Sequence, residues 1–297
     1  MRAVVFGASG VVGRALLPEL AARFEVVGVS REGGSSVDDG VRWTRADVTD
    51  PGSLAGLLEP GDVVVYLVHS LGRPDFADVD RAAAGNIARA AARAGASQIV
   101  YLGGLGAEAG TESEHLLSRA ETAAVLAEGP VPVTTLRAGM VVGRGSAAFE
   151  TVRALVDRLP AMITPRWVST PTQPVALADV ARYLAGVCGL AAAYGESYDV
   201  GGPEVMTYRE MIERIARVRG RRVRIVEVPV LTPRLSSWWL HLVTPVNAAV
   251  ARPLIDGLRT PTVVRDTRIR ALVPFEPTSF EDAVRDALGP GGHTPSS

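Results

Sequence analysis

A glycine-rich loop near the start of the chain limits the folds that the sequence can adopt. Gly7, Gly10 and Gly13 lie in the segment GASGVVG, which follows the apolar run Ala3–Phe6 and opens a Leu/Ala-rich stretch at Val11. Glycines at this spacing allow a sharp turn, a close approach of backbone N–H groups to a phosphate, and tight packing of a helix on a strand. A helix that begins there directs its N-terminus at the negative charge. The segment therefore predicts a strand, a phosphate-binding turn and a helix.

The first 145 residues alternate between short apolar runs and Ala/Leu-rich stretches. Continuous apolar runs are typical of parallel strands that are buried on both faces. The predicted strands are Ala3–Phe6, Val26–Val29, Val41–Arg45, Val63–Val68, Gln98–Leu102 and Val133–Leu136. The predicted helices are 11–22, 52–58, 76–94 and 113–128. This alternation predicts an α/β fold with a Rossmann-type, doubly wound parallel sheet.

Several residues mark the expected ends of these elements. Asp50 is suited to cap a helix whose first residue is Pro51. Gly95 and Gly129 stand where left-handed helix ends are expected.

After residue 145 the alternation becomes irregular, and we expect a smaller C-terminal substrate lobe there. Further helices are predicted at 147–158, 178–190 and 208–219, and further strands at 196–200 and 223–228. The predicted division is a Rossmann domain of 1–145 with 175–201, a lobe of 146–174 and 202–288, and a disordered tail of 289–297. Residues 234–258 are expected to pack on the core or on a second subunit, and the alternative is a membrane-surface helix.

The composition excludes several classes of protein. The 297 residues are 47% apolar and 21% charged with a net charge of −1, which argues for a folded chain without a global attraction to nucleic acid. The single cysteine, Cys188, excludes an internal disulfide and a Cys/His zinc cluster, so no metal is expected. No apolar run reaches the ~20 residues that span a bilayer, and the first residues do not resemble a signal peptide. We therefore expect a cytoplasmic monomer or homodimer that acts on a small molecule.

The cationic residues are all arginines. Lysine and arginine together number 31, and each of these positions is an arginine. No lysine is therefore available as a base, a Schiff-base former or a ribose clamp.

The end of the second predicted strand bears on the choice of cofactor. An acidic residue there would bind the ribose hydroxyls of NAD, but the sequence has Ser30 and Arg31, and the acid Glu32 comes one position late. Arg31 can pair with a 2′-phosphate, and Ser30 can add a hydrogen bond, which favours NADP(H); the alternative is a solvated surface arginine. After the third strand, Asp47 and Val48 are expected to meet the adenine edge.

At this point the sequence resembles the extended and atypical short-chain dehydrogenase/reductase superfamily, and within it the NmrA-like branch. The resemblance covers roughly residues 1–230. Its carriers are GASGVVG, ADVTD, YLVHSLG, a helix containing Asn86, YLGGLG, LRAGMVVGRGSAAFE, ALADVARYL and YDVGGPEVMTYREM. The resemblance implies NAD(P)H bound across the carboxyl edge of a Rossmann domain, with a C-terminal lobe that closes over the nicotinamide and the substrate.

The resemblance also indicates which residues contact the cofactor. The expected cofactor contacts are Gly7, Ser9, Gly10, Val11, Val12, Gly13, Ser30, Arg31, Asp47, Val48, Val68, His69, Ser70, Gly103, Arg119, Ala138, Gly139 and Met140.

The sequence departs from the family at the catalytic centre. Active members use a Tyr-x-x-x-Lys pair and a serine at the end of the fifth strand. Here the serine position reads as Gly103-Gly104, and aligning SRAE with the usual SKAE puts Arg119 at the lysine position and His115 at the tyrosine position. Arg119 can still donate to the ribose hydroxyls, and the imidazole of His115 can give or take a proton near neutrality. A neighbouring guanidinium favours the neutral imidazole, which suits a base better than an acid; the alternative is that His115 only lines the pocket.

His69 is the other catalytic candidate. It is predicted at the end of the fourth strand, where a doubly wound sheet presents residues to ligands. We expect His69 and Ser70 to face the nicotinamide ribose or the substrate; the alternative is a structural histidine.

Two classes of function stay open. The first is an NADP(H)-dependent oxidoreductase for a small apolar carbonyl or enone compound, or an epimerase or dehydratase that uses the same cofactor. The second is a non-catalytic NADP(H)-binding sensor. The loss of Tyr, Lys and Ser favours the sensor, whereas His115 at the tyrosine position and a full C-terminal lobe favour the enzyme. A pocket lined by Met140, Phe149, Trp167 and Trp238 would suit an apolar substrate.

Overall fold

The computed structural model describes residues 1–34, 40–107, 113–164, 166–227 and 257–289. Within these ranges the strands, in chain order, are β1 (Arg2–Phe6), β2 (Glu25–Ser30), β3 (Val41–Arg45), β4 (Val63–Tyr66), β5 (Gln98–Gly104), β6 (Val133–Ala138), β7 (Val141–Val142), β8 (Ala161–Thr164), β9 (Pro171–Thr172), β10 (Val175–Ala176), β11 (Ser197–Val200), β12 (Met206–Thr207) and β13 (Arg224–Glu227). The helices are α1 (Val11–Ala21), α2 (Phe76–Ala94), α3 (Glu114–Leu126), α4 (Ala147–Arg158), α5 (Leu177–Val187), α6 (Tyr208–Val218), α7 (Arg268–Leu272) and α8 (Phe280–Leu288).

Seven of these strands form one parallel sheet in the order β11-β6-β5-β4-β1-β2-β3. The predicted doubly wound, Rossmann-type sheet is therefore confirmed. The strand order reverses between β1 and β4, and such a reversal opens a crevice at the carboxyl ends of the strands where ligands bind.

Helices cover both faces of this sheet. On one face α1 packs against α5, and the core there includes Leu16, Leu20 and Leu184. On the other face α2 packs against α3, and Ile87 and Leu126 are fully buried. Burial on both faces explains why the strands read as continuous apolar runs.

A separate apolar cluster lies among α4, α6 and α8. Phe149, Met211 and Val284 are fully buried in it. Phe149 is thus a core residue and does not line an open pocket as predicted. Ile269 of α7, in contrast, is buried in the cluster beside the parallel sheet, although the sequence assigns its stretch to the substrate lobe. The domain division stays a prediction.

Local details confirm some of the predicted ends and correct others. The Asp50 side chain caps as expected, but the predicted helix 52–58 is only a short helical turn, Pro51–Leu54. The backbone is already extended at Ala55, and Gly56 then takes a left-handed φ of +70°. Gly95 ends α2 with a φ of +70°, as predicted. Gly129 is not left-handed, since α3 already ends at Leu126.

Two further predictions fall outside the described residues. These are the packing of Trp238 and Trp239, within 228–256, and the disorder of the tail at 290–297. In the ranges that are described, no helix is long and apolar enough to cross a membrane.

Candidate functional site

The glycine loop has the geometry that its spacing predicts. β1 ends at Phe6, and Gly7 turns the chain with a φ of +85° while its N–H donates to the Val29 carbonyl at 3.1 Å. The Gly10 N–H donates to the Gly7 carbonyl at 3.0 Å, and α1 begins at the next residue. No acidic side chain lies in the first turn of α1. The free N–H groups of that turn are therefore suited to an anion.

Two of the glycines are required by close contacts. A Cβ on Gly13 would lie 2.4 Å from the Gly7 carbonyl oxygen, which real structures essentially never show. A Cβ on Gly7 would lie 3.1 Å from the carbonyl carbon of Leu67, just after β4. The glycine loop thus packs closely against α1 on one side and against the segment after β4 on the other. Both contacts lie at the reversal point of the sheet. Such a cradle fits a dinucleotide pyrophosphate.

The tip of β2 is organised as a tight turn. Ser30 is largely buried, and its hydroxyl donates to the Gly33 carbonyl at 2.7 Å. The Ser30 hydroxyl therefore donates its proton within the protein, and its oxygen could only accept a hydrogen bond from a ligand. Arg31 is exposed beside it.

The turn after β3 contains the two residues predicted at the adenine edge. The Asp47 carboxylate accepts hydrogen bonds from the Thr49 N–H at 2.9 Å and from its hydroxyl at 2.7 Å, and these bonds, with the charge of Arg31, lower the pKa of Asp47. The Val48 carbonyl accepts from the Asn86 side-chain amide at 2.9 Å. Asn86 therefore holds this turn against α2.

The segment after β4 contains Val68, His69 and Ser70. β4 ends at Tyr66 and not at Val68 as predicted, so His69 lies in the turn beyond the strand. The Ser70 N–H donates to the Asp80 carboxylate at 2.7 Å, and Asp80 is only 3% exposed. A buried carboxylate on α2 therefore fixes the turn that carries His69.

Arg119 lies beside the end of β5. Its Nη2 donates to the Leu102 carbonyl at 2.9 Å, and its guanidinium stands 5.6 Å from the centroid of the Tyr101 ring. The Tyr101 hydroxyl donates to the Arg119 backbone carbonyl at 3.2 Å. These contacts hold α3 on β5, with His115 one helical turn before Arg119.

The structure brings His69, His115 and Arg119 together as an electrostatic group. Burial lowers the pKa of His115 to about 3, with further lowering by Arg119 and His69. Burial, followed by the charge of Arg119, lowers the pKa of His69 to about 4. His69 nevertheless keeps more than a third of its surface exposed, so water should soften this effect more for His69 than for the half-buried His115. Both imidazoles are neutral at pH 7, which corrects the expectation that His115 titrates near neutrality.

The remaining predicted residues lie at the carboxyl ends of β5 and β6. The Ala138 carbonyl accepts from the Leu105 N–H at 2.9 Å, and the Met140 carbonyl accepts from the Val175 N–H at 2.9 Å. A Cβ on Gly103 would contact the Tyr101 ring at 3.3 Å. A Cβ on Gly139 would meet the Thr262 hydroxyl at 3.3 Å, so a distant part of the chain packs closely on this edge.

The comparisons with known proteins agree with this geometry. Residues 7–152 match the family described as NAD(P)H-binding. The strand order of the sheet is that of doubly wound dinucleotide-binding folds, with the glycine cradle at the reversal point. This family match agrees with the resemblance of the sequence to the short-chain dehydrogenase/reductase superfamily. Assignment of the chain to that superfamily and to its NmrA-like branch stays a prediction.

Three solved structures share the fold of this chain. A nucleoside-diphosphate-sugar epimerase of Staphylococcus aureus has a TM-score of 0.79 and 16% identity, and the alignment covers 96% of this chain and 99% of the other. An NADPH-dependent quinone oxidoreductase of Escherichia coli, complexed with NADPH, has a TM-score of 0.77, 19% identity and coverages of 96% and 98%. The triphenylmethane reductase of a Citrobacter species, complexed with NADP(H), has a TM-score of 0.76, 20% identity and coverages of 97% and 99%.

A curated relative is an uncharacterised protein of Mycobacterium tuberculosis. It is 28% identical over 303 aligned positions, which include 99% of this chain but 31% of the relative. The chain thus spans about a third of the length of the curated relative that it matches.

The sequence analysis missed three residues of this site, namely Asp80, Tyr101 and Thr262. Asp80 lies on the buried face of α2 with Ala83, Ala84 and Ile87, and an acid among apolar residues at helical spacing was the available signal. For Tyr101 the available signal was its position near the carboxyl end of the predicted strand Gln98–Leu102, where ligand-contacting residues are expected. For Thr262 the sequence carries no local signal, because its contact with Gly139 joins distant parts of the chain. Among the described residues no cluster of His, Cys, Asp and Glu could hold a metal ion.

Proposed function

We propose that this protein is an NADPH-dependent oxidoreductase that reduces a small, apolar carbonyl or enone compound without a Tyr-x-x-x-Lys pair. The observation that carries the proposal is the grouping of His69, His115 and Arg119 beside the glycine cradle. Bound NADPH would supply the hydride. The residues around it would bind the cofactor, orient the acceptor and stabilise the charge that develops on the oxygen.

The cofactor would lie along the carboxyl edge of the sheet. The first-turn N–H groups of α1 would hold the pyrophosphate, and Arg31 would pair with the 2′-phosphate. Arg119 uses one of its five N–H donors on the Leu102 carbonyl, which leaves others for the nicotinamide ribose. The turn that contains Val68, His69 and Ser70 would border the same ribose.

His115 would act through its neutral form. A neutral imidazole has one N–H donor and one acceptor nitrogen. It can therefore donate a hydrogen bond to a carbonyl oxygen, but with a pKa of about 3 it does not supply a proton as imidazolium at pH 7. This limitation favours acceptors whose reduced anion is stabilised by conjugation. The named activities of two structural relatives, a quinone oxidoreductase and a triphenylmethane reductase, support a conjugated acceptor.

A non-catalytic NADP(H)-binding sensor is the second candidate. The low pKa of His115 favours it, because the described part of the site offers no imidazolium acid at neutral pH. An epimerase is a third candidate, and the name of the Staphylococcus aureus relative supports it.

Cofactor turnover distinguishes these candidates. We would measure NADPH oxidation by the full chain with quinones, enones and simple aldehydes. A reductase predicts turnover. His115→Phe should lower turnover by about 10²–10³-fold, because it removes a hydrogen-bond donor to the developing oxyanion. His69→Phe should also lower turnover, and both variants should keep NADPH affinity. Glu114→Gln, on an exposed neighbour in α3, is the matched control and should leave turnover unchanged.

Other results would assign the other functions. Stoichiometric NADPH binding without oxidation across the panel would favour the sensor. Interconversion of nucleotide sugars without net NADPH consumption would favour the epimerase.

A further inference from the structure

The tips of β2 and β3 lie side by side, and each bears an arginine. Ser30 of β2 pairs with Arg45 of β3 in the parallel register, and Arg31 follows Ser30 directly. The Ala46 N–H donates to the Ser30 carbonyl at 3.1 Å, so the two strands stay paired to their ends. Both arginines are exposed. The side chains of Arg31 and Arg45 therefore extend from neighbouring positions on the two strand ends.

Arg45 lies on the same face of the sheet as Trp43, and the segment that follows β2 packs against this face. A Cβ on Gly34 would lie 1.9 Å from the Trp43 ring, so the segment after Arg31 rests on that ring. Side chains two residues apart on a strand share a face, so Arg45 is on the same face as Trp43. The bond between the Ser30 hydroxyl and the Gly33 carbonyl keeps this turn closed. Arg31 and Arg45 thus border one corner of the sheet.

Neither guanidinium has an ion pair with any residue that the structure describes. Arg42, on the same strand, pairs with Glu25 at 3.0 Å. The carboxylate nearest to Arg45 in sequence, Asp47, is engaged by Thr49, and the charge of Arg31 is the smallest of the causes that shift its pKa. Glu32, which follows Arg31 directly, is exposed and forms no ion pair with it. Two neighbouring guanidinium groups without an ion pair in the described ranges repel each other, and an anion between them would remove that cost.

We infer that Arg45 is a second cation for the 2′-phosphate of the cofactor and that, with Arg31, it selects NADP(H) over NAD(H). This inference rests on the proposed function, because it concerns the adenosine end of the same site. A phosphate monoester carries about −1.5 to −2 charges at pH 7, which one guanidinium does not neutralise and two do. Planar guanidinium groups also match the phosphate oxygens in bidentate geometry.

The test uses adenosine 2′,5′-diphosphate, which carries this phosphate, and ADP, which lacks it. We would titrate both into the full chain and into Arg45→Ala and Arg31→Ala by calorimetry. Each substitution should weaken binding of adenosine 2′,5′-diphosphate about tenfold to a hundredfold and leave ADP binding within about twofold. Arg42→Ala is the matched control on the same strand and should change neither affinity. Arg45→Lys keeps the charge but loses the bidentate geometry, so it should weaken binding of adenosine 2′,5′-diphosphate less than Arg45→Ala does.

Each outcome decides one claim. If Arg45→Ala binds adenosine 2′,5′-diphosphate as tightly as the unmodified chain, Arg45 has no part in recognition, whatever Arg31→Ala does. If Arg45→Ala weakens both ligands equally, the role is not specific for the 2′-phosphate and the inference also fails. If the unmodified chain binds neither ligand and neither NADPH nor NADH, the proposed function fails instead. Because Arg45 is exposed, an unchanged melting temperature is expected to show that the variants fold.

Discussion

The Asp80 carboxylate and the Ser70 amide, which lie on α2 and in the turn after β4, are joined by a hydrogen bond of 2.7 Å. Asp80 is nearly fully buried, and burial raises the pKa of its carboxyl group, while the bonds from Ser70 and the charge of Arg119 oppose that rise. Burial of this carboxylate is unfavourable by itself, but the Asp80 carboxylate fixes the turn beside the glycine cradle through its hydrogen bond to Ser70.

Asp80→Ala should weaken NADPH binding about tenfold and destabilise the fold by about 1–3 kcal/mol, because it leaves the Ser70 amide without its acceptor. Asp80→Asn retains a side-chain oxygen and should restore most of the NADPH affinity. Calorimetric titration and thermal melting measure the two effects. Asp78→Ala, at an exposed position of the same helix, should change neither. NADPH affinity that is equal in all variants would exclude the positioning role.

Gly13→Ala should abolish or strongly weaken NADPH binding. The added methyl would stand 2.4 Å from the Gly7 carbonyl oxygen, so α1 must move away from β1, at a cost typical of overpacking of about 1–3 kcal/mol. Gly129→Ala is the control, since its Cβ would meet Ala88 at ordinary van der Waals distances of 3.8 Å and more. Chemical denaturation and NADPH titration check both variants. A fully stable Gly13→Ala protein with normal affinity would show that the helix is not pressed on the loop.

The two histidines should make the fold less stable as the pH falls. Their folded pKa values are lowered to about 3 for His115 and about 4 for His69, below the ordinary value of 6.5, so the unfolded chain binds more protons between those limits. Stability is therefore full above pH 6.5 and declines below it, by at most about 1.4 kcal/mol per pH unit for each proton. His69, being more exposed, should contribute less.

Melting curves of the unmodified chain and of His115→Gln test this dependence. Between about pH 6.5 and pH 4 the slope of stability against pH should be shallower for His115→Gln. Identical slopes would mean that the His115 imidazole titrates normally in the folded protein.

Arg119→Ala should affect both cofactor binding and packing. It removes the donor to the Leu102 carbonyl and the contact with the Tyr101 ring, which together should cost about 1–3 kcal/mol of stability. NADPH affinity should fall more than NADPH turnover at saturation if the guanidinium binds the ribose. Fluorescence titration and steady-state kinetics separate these effects. Arg81→Ala, which removes an exposed ion pair between α2 and α3, should leave NADPH affinity unchanged.

The sequence predicted the sheet and the glycine cradle well because both depend on local signals. Apolar runs encode β1 and β4, and glycine spacing encodes the loop. Each of these signals lies within a few consecutive residues. It did not predict that β4 ends at Tyr66, because the apolar run continues through Val68 after pairing stops. It also missed the low pKa of His115, which arises from burial and from Arg119 and His69 together, and His69 comes from a different part of the chain.

The outer edge of the sheet has a consequence for how much of the chain can exist alone. β11 pairs with β6, and α5 covers α1, yet both elements lie beyond residue 152, where the family match ends. A fragment cut to 7–152 would also lack β1, the central strand of the sheet. It would expose an unpaired strand edge and an apolar helix face, both of which promote aggregation. Residues 7–152 are therefore not an autonomous folding unit, and a soluble truncation has to retain β1 and extend at least through β11.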